Sequence, residues 1–179
     1  MTLIKTACLA LVVAGCLVAT KEAGAVVELQ GLRANAPAHC QAFTPGATNT
    51  VRNRVVGSEN VGATMNVACT FEKGFSIHAT PVTLVEMWFS NNATSGSVTI
   101  NCTLLTGSQG WAGAVVINKS VSIAAGPGQD FLQFSAGDTA DPGDTSLGSE
   151  LVGVNCTLPP HAVINDTYIY WNDEDGVGT

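Results

Sequence analysis

A seven-residue pattern with a cysteine at its fifth position occurs three times in the chain and constrains the fold more than any other feature. Its copies are MNVACTF at 65–71, VTINCTL at 98–104 and VGVNCTL at 152–158. Because successive side chains of a strand point to opposite faces, each copy has an apolar face that includes the cysteine and a face that carries mainly hydroxyl and amide groups. Such a strand covers a core on one side and meets water on the other. Cys69, Cys102 and Cys156 are therefore predicted to point inward.

The rest of the 179-residue chain also reads as strands and turns. Glycine occurs 19 times, turn signals recur roughly every 8–12 residues, and no helical period longer than a turn or two follows residue 25. The sequence predicts one all-β domain over 26–179, an antiparallel β-sandwich of about seven to nine strands stapled by disulfides, with a closed barrel as the alternative. The strands at 81–89 and 97–105 flank the polar segment 90–96, which predicts that they pair as a hairpin.

Residues 1–25 have the anatomy of an export signal. Lys5 precedes an apolar run from 7 to 19, and Ala23-Gly24-Ala25 forms the small-x-small site of a signal peptidase. The mature chain would begin at Val26 and would be secreted or periplasmic. The alternative is a lipid anchor through Cys16, because residues 13–16 have the order of a lipobox. The apolar run continues past that cysteine, which argues against the anchor.

Removal of this segment leaves four cysteines and an acidic chain. Cys40, Cys69, Cys102 and Cys156 form an even set, which indicates disulfide bonds in an exported protein. The removed residues carry a net charge of +1, so the net charge of −7 becomes −8. This sign argues against nucleic acid and anionic membranes as partners. The apolar run of the signal is too short to be a transmembrane segment.

Patterns that would indicate catalysis or metal binding are weak. The sequence contains neither a G-x-S-x-G elbow nor an H-E-x-x-H pair, and Glu86 is a lone carboxylate among apolar neighbours. Asp138, Asp141 and Asp144 could offer oxygen ligands to calcium, but they lack the alternate-residue register of a calcium loop. A solvated acidic loop explains them better. The sequence therefore predicts a protein that is not an enzyme and that binds neither a cofactor nor a metal ion.

Large aromatic residues give a candidate ligand-binding surface. Exported sandwiches bind glycans with exposed rings, and the candidates for such a platform are Trp88, Trp111 and Trp171, within a set that also includes Tyr168 and Tyr170. The competing interpretation is that most of these rings belong to the core.

Short motifs link the chain to known proteins. With the signal peptide, CQAF at 40–43, VACTF at 67–71, NCTL at 101–104 and NCTLPP at 155–160 followed by YIYW at 168–171, it resembles small, uncharacterised, exported, disulfide-bonded β-sandwich proteins of Gram-negative bacteria. The resemblance implies no assigned activity and disulfides paired in chain order. Of three possible pairings, the near identity of the strands around Cys102 and Cys156 favours the same one, which leaves Cys40 for Cys69.

Three functions stay open from the sequence. The first is a non-enzymatic exported or cell-envelope module that binds an unknown surface component or serves a structural role. The second is a glycan-binding or glycan-active sandwich. The third is a pilus or adhesin subunit, which would show an unpaired groove or a donor strand, although the terminal DEDGVGT departs from the closing strand of such subunits. The expected partner is a glycan, a protein or another cell-surface component.

Overall fold

The computed structural model describes residues 28–43, 50–71, 81–107, 115–140, 143–147 and 151–173. The predicted signal segment and Cys16 lie outside these residues. The elements in chain order are β1 (Glu28–Asn35), α1 (Ala36–His39), β2 (Cys40–Ala42), β3 (Val51–Arg54), β4 (Gly57–Asn60), β5 (Met65–Phe71), β6 (Val82–Asn91), β7 (Ser97–Gly107), β8 (Val115–Ala124), β9 (Gly126–Ser135), a 3-10 turn (Ala136–Asp138), β10 (Leu151–Leu158) and β11 (Ala162–Asp173). Among the described helices, none has the length and apolar character needed to cross a membrane.

The strands form two antiparallel sheets that pack as a sandwich. The six-stranded sheet has the order β3-β4-β11-β6-β9, with β1 also paired to β11, and the five-stranded sheet has the order β2-β5-β10-β7-β8. The predicted antiparallel β-sandwich is confirmed. The described residues form eleven strands, more than the predicted seven to nine or so. Strands β2 and β4, of three and four residues, are too short to leave an alternating pattern in the sequence.

The predicted hairpin between 81–89 and 97–105 is wrong. The first segment belongs to β6, which pairs with β11 and β9, whereas the second belongs to β7, which pairs with β10 and β8. The polar segment between them crosses from one sheet to the other. Asn91 stabilises this crossing, because its Nδ2 donates to the Ile123 carbonyl at 3.1 Å and its Oδ1 accepts from the Ala93 N–H at 3.0 Å. A polar loop fits either connection, since packed sheets are only about 10 Å apart.

The three copies of the cysteine pattern lie side by side in the five-stranded sheet. Strand β10 is flanked by β5 and β7, Cys156 lies directly opposite Cys102, and Cys40 of β2 lies opposite Cys69 of β5. Disulfides join Cys40 to Cys69 and Cys102 to Cys156, which is the predicted connectivity. All four cysteines are buried, so the predicted inward orientation is confirmed. Each bond links neighbouring strands of one sheet, so neither holds the two sheets together.

The core fills the space between the sheets and extends into the connection after β9. Its largest fully buried side chains include Phe89, Phe134, Met87 and Ile169 from the six-stranded sheet and Ile100, Leu104, Leu158 and Val67 from the other. Leu147, between β9 and β10, is also fully buried. Its N–H donates to the Val82 carbonyl at 2.7 Å, and its own carbonyl accepts from the Thr106 hydroxyl. This segment therefore links β6 of one sheet with β7 of the other and closes one end of the sandwich.

Candidate functional site

The outer surface of the six-stranded sheet displays aromatic and polar side chains in cross-strand rows. On β11, burial of Thr167 and Ile169 turns the intervening Tyr168 and its neighbour Tyr170 outward. The same alternation acts on β1, β6 and β9. The residues of this surface, here named the aromatic face, are Arg33, Leu84, Glu86, Trp88, Phe131, Gln133, Asp166, Tyr168 and Tyr170.

The two tyrosines of β11 form a parallel pair. Their ring planes differ by 5° and their centroids are 6.4 Å apart, as expected for alternate residues on one face of a strand. Tyr170 lies opposite Gly31 of β1. A Cβ atom at Gly31 would lie 3.0 Å from both Cδ1 and Cε1 of Tyr170. The missing side chain at this position therefore makes room for the ring.

Arg33 places a cation against the first of these rings. It lies opposite Tyr168, and its guanidinium carbon is 5.3 Å from the ring centroid. Its Nη2 donates to Asp166 Oδ2 at 2.7 Å, and this hydrogen bond, together with the nearby negative charge, raises the pKa of Arg33. An exposed ion pair of this kind contributes little to stability. Its main effect is to fix the guanidinium over Tyr168 and to balance its charge.

Trp88 and Phe131 form the second aromatic pair. They lie opposite each other on β6 and β9, with ring centroids 4.9 Å apart and an interplanar angle of 25°. Phe131 is 41% exposed, whereas Trp88 is half-buried. The Trp88 indole nitrogen is buried and has no hydrogen-bond partner among the described residues. The exposed Phe131 ring therefore gives this pair an apolar surface that faces solvent.

One row of the aromatic face combines a ring with several polar groups. Arg33, Tyr168, Glu86 and Gln133 lie opposite one another on β1, β11, β6 and β9, a span of about 14 Å at the usual strand spacing. In the described part of the chain, the Glu86 carboxylate makes neither a hydrogen bond nor an ion pair. The row thus places a free carboxylate between a tyrosine ring and an amide.

The three tryptophans predicted to form a platform do not lie together on one described surface. Trp88 lies on the aromatic face. Trp171 packs against the core, because the alternation that turns Tyr168 and Tyr170 outward turns this residue inward. Trp111 lies outside the described residues. The sequence interpretation missed Phe131 and Arg33, because strand pairing alone places them on the aromatic face. The tyrosine pair could be found in the sequence, since two tyrosines separated by one residue in a strand share a face.

In the described part of the chain, Asp138 and Asp144 belong to no cluster that could hold a metal ion. Asp138 Oδ2 accepts from the Ser135 N–H at 2.8 Å and from Ser135 Oγ at 3.1 Å, and Lys119 Nζ lies 2.6 Å from Oδ1. Burial would raise the pKa of Asp138, but these hydrogen bonds outweigh it and lower the pKa. Asp144 is exposed as predicted, Asp141 lies outside the described residues, and the predicted exposed position is wrong for Asp138. The described residues contain no group of three or more His, Cys, Asp or Glu that could hold a metal ion.

Comparison with known proteins gives only structural likenesses. No protein-family model matches the chain, and no curated protein matches it. It is similar to the xylan-binding module CBM15, with 10% identity over 80% of this chain and 97% of that one and a TM-score of 0.47. It is also similar to the C-terminal CBM6 of LamC, a laminarinase of Zobellia galactanivorans, with 13% identity over 78% and 98% of the two chains and a TM-score of 0.43. At such values these likenesses carry no argument about function, which must come from the surface itself.

Proposed function

We propose that the chain is a non-catalytic glycan-binding module and that the aromatic face is its binding surface. The observation that carries the proposal is the outward display of two ring pairs, Tyr168 with Tyr170 and Trp88 with Phe131. The opposite side of the same sheet already contributes a closely packed core. A large aromatic side chain can bury roughly 150–250 Å². Rings on the outer side of the sheet are not needed for the core, so their apolar area is available to a ligand.

The polar groups of the aromatic face complement the chemistry of a sugar. A sugar ring has an apolar C–H face, which packs on an aromatic ring, and a rim of hydroxyl groups, which need donors and acceptors. Arg33, Glu86 and Gln133 share the row of Tyr168. The guanidinium and the amide can donate, and the carboxylate can accept. Apolar rings with a few placed polar groups are the usual composition of a binding site for a small ligand.

The charges of this surface favour a neutral glycan over an acidic one. The positive charge of Arg33 is balanced by Asp166, whereas Glu86 adds a negative charge at the centre of the row. A uronate or a sulfate group would meet this carboxylate, and like charges at close range repel.

The same carboxylates argue for binding without hydrolysis. Glycoside hydrolysis ordinarily uses two carboxyl groups that flank the scissile bond, one of them as a proton donor. Among the described residues of the aromatic face, the second carboxylate is Asp166, which is bound to Arg33. Glu86 alone can orient a sugar hydroxyl but cannot supply the paired chemistry.

A glycan array followed by calorimetric titration of the ligands found tests the proposal. Tyr170→Ala and Phe131→Ala should each weaken binding about tenfold, equivalent to roughly 1.4 kcal/mol. Phe43→Ala is a matched control, because Phe43 is an aromatic residue that is 65% exposed and directly follows β2 of the other sheet. Equal losses in all three variants, or the absence of any glycan ligand, would refute the assignment.

We further propose that the module works in an oxidising compartment, either secreted or periplasmic. Two disulfide bonds support this location, because such bonds persist outside the reducing cytoplasm. The intact mass of the exported protein should correspond to a chain that begins at Val26. A lipid on Cys16 would instead place it on a membrane surface.

The alternative of a polymerising subunit receives no support from the first described strand. β1 pairs with β11 of the same chain from Glu28 to Asn35. A strand already paired along its length is not available as a donor for another subunit.

A further inference from the structure

The outer surface of the five-stranded sheet carries no charged side chain in the part of the chain that the structure describes. Alternation around the buried residues of β2, β5, β10, β7 and β8 turns threonine, serine, asparagine, glutamine and small or aliphatic side chains outward. The chain as a whole has 7 basic and 14 acidic residues. The lack of charge on this surface, here named the neutral face, is therefore a property of the face and not of the composition.

A depression and a projection lie next to each other on the neutral face. Thr70, Gly153, Leu105 and Val116 oppose one another on β5, β10, β7 and β8. A groove of about 410 Å³ runs over Gly153 and the adjoining Ala68. Leu105 and Val116 line the groove at one end and are 39% and 54% exposed.

We propose that the neutral face is a dimer interface on which a second copy of this chain docks about a two-fold axis. Across such an axis the same patch meets itself, so a projection must find its depression on the same patch of the partner. Leu105 and Val116 of one copy would enter the groove over Gly153 of the other, and the reverse contact would follow by symmetry.

The distribution of charge makes the neutral face the side through which a second copy meets the least repulsion. The net charge of −7 for the full sequence becomes −8 without residues 1–25, so an approach of two copies through charged surfaces meets repulsion between like charges. An uncharged face is where two copies can approach most closely. The polar groups there also pair with each other, since Thr103 Oγ1 donates to Asn118 Oδ1 at 2.6 Å and Thr157 Oγ1 donates to Asn66 Oδ1 at 2.9 Å. Groups already paired lose little when water leaves.

The size of the neutral face indicates a weak dimer. Four long strands at about 4.8 Å spacing and a shared length of about 25 Å give on the order of 500 Å² of projected area per copy. Two copies would bury roughly 1,000 Å², at the lower limit for a specific interface. We therefore expect dissociation in the micromolar range. The dimer would also present its two aromatic faces on opposite outer sides, so it could bridge two ligands.

Sedimentation velocity of the mature chain from roughly 1 to 500 µM tests the inference. The expected result is a shift from monomer to dimer within this range. Leu105→Glu should weaken association at least tenfold, because it brings two new negative charges together. Leu29→Glu is the matched control, since Leu29 is 61% exposed on β1 of the other sheet and the change in charge is identical. It should leave association almost unchanged.

A second variant removes the groove without adding charge. A Cβ at Gly153 would have the Cys69 carbonyl as its nearest neighbour, at 3.8 Å, so Gly153→Leu can project outward without a backbone clash and should also weaken the dimer. A mixture of Leu105→Glu and Leu105→Lys chains should associate more tightly than either variant alone. A monomer at every concentration, or equal effects of Leu29→Glu and Leu105→Glu, would overturn the proposal.

Discussion

Lys119 on strand β8 of the five-stranded sheet and Asp138 just beyond β9 of the six-stranded sheet form an ion pair, with Nζ 2.6 Å from Oδ1. The lysine Nζ also donates to the Gln133 carbonyl at 2.6 Å and lies 5.8 Å from the centroid of the Phe134 ring. β8 and β9 are edge strands of different sheets. The lysine therefore links the two sheets directly, which neither disulfide bond does.

Asp138→Asn should lower the free energy of unfolding by about 1 kcal/mol at neutral pH, because it removes a charged partner of Lys119 while keeping the side-chain shape. The hydrogen bonds of the carboxylate lower its folded-state pKa below its unfolded value. Its stabilising effect is therefore complete above the ordinary aspartate pKa of about 4 and disappears as the pH falls through the folded value. Urea unfolding between roughly pH 7 and pH 3 should show the difference between the two proteins shrink on acidification. Asp144→Asn, at an exposed position of the same connection, should change little.

Gly57→Ala should be among the most destabilising single changes in the chain. Gly57 has a φ of 148°, and a Cβ there would collide with the Ile164 carbonyl and lie 2.9 Å from Asn165 Cα. Backbone strain and steric overlap together should cost about 3 kcal/mol. Gly96→Ala separates the two causes, because Gly96 has a φ of 85° and no atom within 4 Å of the added Cβ. It should cost only about 1 kcal/mol. Similar melting temperatures for the two variants would contradict this account.

Loss of the Cys102–Cys156 bond should destabilise the fold more than loss of the Cys40–Cys69 bond. The sequence separations are 54 and 29 residues, and a longer closed loop restricts the unfolded chain more. The entropy model gives about 4 and 3.5 kcal/mol for the paired Cys→Ala variants. All four cysteines are buried, so the cavities left behind add a similar cost to both variants and the loop length decides the order. Guanidinium unfolding without reductant measures both values, and the reverse order would rule out the loop-length explanation.

Local patterns predicted the fold class, the inward cysteines and the disulfide partners. The information lay in the strands themselves, because a cysteine within an alternating segment must point to the same side as its apolar neighbours. Cys102 and Cys156 could be matched because their strands are nearly the same in sequence, and the structure places them directly opposite each other.

Relationships between distant strands could not be predicted in the same way. The polar segment before Ser97 does not indicate that the chain crosses from one sheet to the other, since the same residues could also connect the two strands of a hairpin. The aromatic face depends on the register that puts Glu86 opposite Tyr168 and Gln133, and no local pattern specifies this register. Trp171 was assigned to the platform by residue type, although its position in the alternation of β11 predicts burial.

Gly31→Ala should weaken glycan binding while leaving stability nearly unchanged. The new Cβ would lie 3.0 Å from Cδ1 and Cε1 of Tyr170, so the ring must move from its place beside Tyr168. The ring is the end of a flexible side chain, so this movement should cost the fold little. We expect a loss of affinity of about three- to tenfold, equivalent to roughly 1 kcal/mol, and an altered near-UV circular dichroism signal without ligand. Gly128→Ala is the matched control, because Gly128 lies on β9 of the same sheet and a Cβ there would have no atom within 4 Å.

A double-mutant cycle decides whether Tyr170 transmits the effect of Gly31→Ala. If the added methyl group acts only by displacing the ring, it should have no further effect on affinity once Tyr170 has been replaced by alanine. The two single losses would then fail to add in the double variant. Additive losses in calorimetric titration would instead mean that Gly31 itself lies against the glycan, since a backbone without a side chain allows a ligand to approach closely.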